Sequence, residues 1–123
     1  MSERPTILVV DDEKNTRDGL ARALKGLYNV VLADQGETAL QALDAHKIDI
    51  VLSDVRMPGM DGFVLLSELR KRIPGTPVIA ISGYVDMKTM MEHAFDAVIE
   101  KPVTIARLRA LVAELLEEEE VSA

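Results

Sequence analysis

The chain alternates two kinds of hydrophobic pattern. Ile7–Val10 (ILVV), Asn29–Ala33 (NVVLA), Ile48–Leu52 (IDIVL), Pro77–Ile81 (PVIAI) and Ala97–Ile99 (AVI) are short runs rich in β-branched residues. Such runs read as buried strands. Between them, apolar positions recur at helical spacing. Leu20, Leu24 and Leu27 form one stripe, with Ala21 and Ala23 alongside. Ala39, Leu40 and Leu43 follow Gly36, and Phe63, Leu66, Leu69 and Ile73 follow Gly62. Met87, Met90 and Met91 mark a weaker turn or two, and Ile105, Leu108, Leu111, Val112, Leu115 and Leu116 form the longest stripe. Five such βα repeats predict an α/β fold, a doubly wound five-stranded parallel sheet with helices on both faces. Right-handed crossovers leave few topologies. Strand order 2-1-3-4-5 is expected, with any ligand at the carboxyl ends of the strands.

Composition narrows the class. With 48% hydrophobic and 28% charged residues in 123, the pattern predicts one globular domain over 1–123, its core about 5–118 and an acidic tail at 117–123. The absence of Cys excludes a disulfide scaffold, a thiolate metal site and a Cys nucleophile. The apolar runs are far shorter than the ~20 residues of a membrane span. The opening MSERPT does not read as a signal peptide, so a cytoplasmic location is expected. A net charge of −7, from 14 basic and 21 acidic residues, argues against direct nucleic-acid binding.

The chemistry gathers where the strands end. The first is followed by Asp11, Asp12 and Glu13, the third by Ser53 and Asp54, the fourth by Ser82 and Gly83, the fifth by Glu100, Lys101 and Pro102. The second ends in the blander Asp34-Gln35. Carboxylates crowded at one rim repel, by about 4 kcal/mol for two unit charges ~4 Å apart at an effective dielectric near 20. A bound cation or a raised pKa relieves this. Oxygen donors without His or Cys select a hard ion, Mg²⁺ being the natural choice. A Lys and a hydroxyl beside such an ion suit phosphoryl transfer to a carboxylate.

At these residues the sequence resembles the receiver domain of bacterial two-component response regulators. The matching pieces are ILVVDDE at 7–13, LSDVRMPGMDG at 52–62, PVIAISGY at 77–84 and EKP at 100–102. The resemblance implies a flavodoxin-like receiver fold. It further implies a signalling switch, not an enzyme with a separate substrate, in which Asp54 accepts a phosphoryl group from a His of a sensor histidine kinase. Mg²⁺ would be held by Asp11, Asp12, Asp54 and the backbone carbonyl of Arg56, with Lys101 on the phosphoryl group. The peptide bond before Pro102 would be cis, and Ser82 would swing inward as the switch. The ISGY wording is similar to receivers attached to AAA+ transcriptional activators, which implies transcriptional output through a further domain or effector. Homodimerisation through the fourth-helix face is also compatible with the family.

Two departures from the family pattern stand out. Val98 occupies a position where an aromatic usually partners the hydroxyl. The stretch between Ser82 and Lys101 is shorter than usual, so a shortened fourth helix is expected. These departures motivate an alternative, a pseudo-receiver that serves as a constitutive protein–protein module. Blander readings stand beside the sharp ones. Asp11 and Asp12 could cap the first helix, and Ser82 and Lys101 could be an ordinary turn hydroxyl and a solvated lysine. The Met triplet reads as core or as a partner surface. His46 and His93 read as surface residues, 57–62 as a loop-shaping segment, and Glu117–Glu120 as a solvated helix end or a linker. A phosphohydrolase working through an aspartyl-phosphate would need a substrate cap that these short loops do not offer. A dinucleotide enzyme would need a Gly-rich turn where Asp11-Asp12-Glu13 stands.

Overall fold

The computed structural model describes residues 4–56, 59–83 and 95–116. Five strands, β1 (Thr6–Val10), β2 (Asn29–Ala33), β3 (Ile50–Asp54), β4 (Val78–Ser82) and β5 (Ala97–Glu100), form one sheet in the order β2-β1-β3-β4-β5. All four pairings are parallel. Helices α1 (Lys14–Leu24), α2 (Gly36–Ala45), α3 (Gly62–Arg72) and α4 (Ile105–Leu116) cover it. The expected short helix around Met87–Met91, together with His93, Met57, Pro58 and Glu117–Glu120, lies outside the described residues.

Residue parity divides the core into two layers. Ile7, Val9, Ile50, Leu52, Ile79, Ile81 and Ile99 pack against Leu20 and Leu24 of α1 and Leu108, Leu111 and Val112 of α4. Leu8, Val10, Val51 and Val78 pack against Ala39 of α2 and Leu65, Leu66 and Leu69 of α3. Both faces of the central strands are therefore apolar, which is why their sequences read as unbroken hydrophobic runs.

The elements depart from the hydrophobic pattern most clearly at β3, at the end of α1 and at the start of α4. Strand β3 begins and ends two residues later than expected, because Ser53 and Asp54 continue the ladder opposite Val10, Ala80 and Ile81 despite their polarity. Helix α1 stops at Leu24, so Leu27 is half exposed and the buried Tyr28 takes its place against the core. The chain turns there through amides of Leu27 and Tyr28 that both donate to the Leu24 carbonyl. Ile105, at the start of α4, is also exposed rather than in the stripe's core.

Candidate functional site

Parity also aims the polar groups. Asp54, the last residue of β3, shares the face of Ile50 and Leu52, and Asp11 and Lys101 fall at the next same-parity positions after Val9 and Ile99. The Asp54 carboxylate is buried and accepts from the Arg56 amide at 3.2 Å and from the Lys101 ammonium at 3.4 Å. The same ammonium stands 3.9 Å from Asp11 Oδ2. Carboxylate oxygens of Asp11, Asp12 and Asp54 lie within 4.8 Å of one another. Asp11 is fully buried and Asp12 exposed, so the cluster opens to solvent on one side.

Asp11 does not cap α1. Glu13 does, its carboxylate accepting from the Thr16 amide at 2.7 Å, a bond that holds the Glu13 carboxyl below its ordinary range. Asp11 Oδ1 instead accepts from the Glu13 amide at 2.9 Å. Burial is the largest influence on the Asp11 carboxyl and pushes its pKa up. The charges of Asp54 and Asp12 push the same way, against the Glu13 amide and Lys101. Asp11 Oδ2 is buried with no hydrogen-bond partner among the described residues. A hard divalent cation fits this donor set: carboxylate oxygens only, one of them buried and unsatisfied, beside a solvent-facing acid.

Ser82 is buried at the end of β4, and its carbonyl accepts from the Lys101 amide at 2.8 Å, which fixes the backbone of the lysine beside β4. The Lys101–Pro102 peptide bond is cis. Arg56 is exposed just past β3. Val98 pairs in register with Ala80 and packs, half buried, in a small cluster with Val55, Phe63 and Phe95. The rings of Phe63 and Phe95 meet edge to face at 5.8 Å.

The loop after Asp54 is built for close approach. Asp61 caps α3 by accepting from the Phe63 and Val64 amides at 3.0 and 2.9 Å. The Gly62 amide donates to the Val55 carbonyl at 2.8 Å, and a Cβ at Gly62 would stand 2.7 Å from the Asp54 carbonyl oxygen. Gly59 takes a φ of 75°, which glycine adopts freely. The sequence pattern marked this segment as loop-shaping; it gave no capping role to Asp61 or to Glu13, and the caps are findings of the structure.

Residues 7–113 match the family model described as the response regulator receiver domain. This chain belongs to the receiver family. The receiver is 32% identical over 123 residues to the autoinducer 1 sensor kinase/phosphatase LuxN of Vibrio campbellii, an alignment covering 94% of this chain and 14% of LuxN. It is 37% identical over 115 residues to the DNA-binding transcriptional regulator NtrC of Escherichia coli, covering 89% of this chain and 24% of NtrC. Among solved structures, a CheY-like receiver domain protein of Methanospirillum hungatei superimposes with a TM-score of 0.88 at 28% identity, covering 98% of this chain and all of that one. The receiver thus spans a quarter or less of these two curated relatives, one a sensor kinase and one a transcriptional regulator. As a receiver it is a signalling module of two-component phosphorelays. No helix among the described residues is long and apolar enough to cross a membrane.

Proposed function

We propose that this receiver is a Mg²⁺-dependent phosphoryl switch whose acceptor is Asp54. The observation that carries the reading is the buried Asp54 carboxylate in contact with Lys101 and beside the unsatisfied Asp11 oxygen. In the transfer, an Asp54 oxygen attacks the phosphorus of a phosphohistidine on a sensor kinase. The phosphorus–nitrogen bond breaks and the departing imidazole takes up a proton. Lys101 draws the equatorial oxygens by its charge, and the Arg56 amide holds the acceptor in line. Asp11, Asp12, Asp54 and the Arg56 carbonyl would hold Mg²⁺, which supplies positive charge to the transferring group. Ser82 would take a phosphoryl oxygen as the switch.

The wider reading follows the relatives. A sensor histidine kinase would be the donor, this receiver would act in the cytoplasm, and an output domain or effector acting on transcription would be the reader. The deciding experiment is incubation with a small phosphodonor and Mg²⁺ followed by intact mass. An adduct of about 80 Da, one phosphoryl unit, is expected for the native chain and not for Asp54→Asn. An adduct that persists in Asp54→Asn, or none in the native chain, overturns the assignment. Val98, an aliphatic residue where the family pattern has an aromatic, favours one second reading, a pseudo-receiver that binds partners constitutively. Amide exchange separates the two: protection changes spreading from the Asp54 loop to residues 82–99 on phosphorylation belong only to a working switch.

A further inference from the structure

Asp11 is held at every backbone point. Its amide donates to the Ala33 carbonyl of β2 at 3.1 Å, and its Oδ1 accepts from the Glu13 amide. Its own carbonyl accepts from the guanidinium of Arg17 at 2.7 Å, across six residues of chain. This last bond is charge-assisted and partly buried, and so among the stronger kinds. It fixes the peptide plane joining Asp11 to Asp12, and with it the direction in which the two acids leave β1. Among the described residues, Oδ2 is left as a buried oxygen without a hydrogen-bond partner.

We infer that Arg17 is a positioning residue for the cation site, holding the Asp11–Asp12 turn in its metal-receiving shape. The inference rests on the Mg²⁺ reading above. Its sign is informative. A guanidinium near an acidic cluster repels a divalent cation, so Coulomb's law alone has Mg²⁺ bind tighter once Arg17 is removed. Positioning predicts the reverse, because residues that orient metal ligands from behind typically carry tenfold or more in affinity.

The test is a Mg²⁺ titration followed by NMR at the Glu13 amide, which bonds the ligand Asp11, so no turnover is needed. Arg17→Met is expected to weaken Mg²⁺ roughly tenfold, and Arg17→Gln, the second variant should the first not fold, to do the same. Arg17→Lys, which keeps a charged donor, is expected to recover most of the loss. Arg22→Met, which removes a charge from the same helix, is expected to leave affinity unchanged or slightly tighter. Native-like or tighter binding in a folded Arg17→Met or Arg17→Gln overturns the inference, as does an equal loss in Arg22→Met. A native chain whose Glu13 amide does not respond to Mg²⁺ overturns the cation reading itself, before any variant is made.

Discussion

At the scale of single residues, Asp11 concentrates the tension of the site. Folded Asp11 binds its proton more tightly than the unfolded chain does, chiefly because it is buried. The group therefore opposes folding above its folded-state pKa and ceases to oppose it once pH drops below 3.8, the ordinary value of an aspartate. Asp11→Asn keeps the oxygen that accepts from Glu13 and removes the charge. In EDTA, urea denaturation should show this variant more stable than the native chain at pH 7, with a higher midpoint. The gap should close as pH falls towards 4, and Mg²⁺ should no longer stabilise the variant. The acids at this site were legible because DDE follows an apolar run. Arg17 was not, since a basic residue on a polar helix face looks like any solvated one until the carbonyl it reaches is seen.

At the scale of elements, the strands are joined at their entrances by a repeated device. Asp49, one residue before β3, accepts from the Thr6 amide through its carboxylate at 2.8 Å and donates its own amide to the Thr6 carbonyl. Asp96, one residue before β5, does the same with Val78: its carboxylate accepts at 2.7 Å and its amide donates at 3.0 Å. Arg70 of α3 completes the second clasp, bonding Asp96 at 2.9 Å and the Thr76 carbonyl at 3.1 Å. Replacing Asp96 with Ala leaves the Val78 amide without its acceptor. Chemical denaturation should register a loss of about 1–3 kcal/mol. Arg70→Ala in the Asp96→Ala background should cost less than it does alone. Element order was plain from the alternation of strand and helix patterns. The limits of β3 were not, because Asp49 belongs to the clasp while Ser53 and Asp54 belong to the ladder, and neither fact has a hydrophobic signature.

At the scale of the molecule, two apolar layers sandwich the sheet, and burial rather than helical spacing decides which residues matter. Leu52 is fully buried in the layer under α1 and α4, whereas Leu27 is half exposed although its spacing places it on the α1 stripe. Leu52→Ala should cost about 3 kcal/mol in thermal or urea unfolding, Leu27→Ala less than about 0.5 kcal/mol. The layers also explain why the site forms from residues so distant along the chain. Asp54 sits on the same side of the sheet as Ile50 and Leu52 because side chains alternate with period two. The acceptor is thus addressed by counting. Drop one residue from within β3 and the hydrophobic run survives almost unaltered, yet the carboxylate swings to the layer beneath α2 and α3, out of reach of Lys101. A change of chain length inside the strand thus misplaces the acceptor as surely as its replacement would remove it.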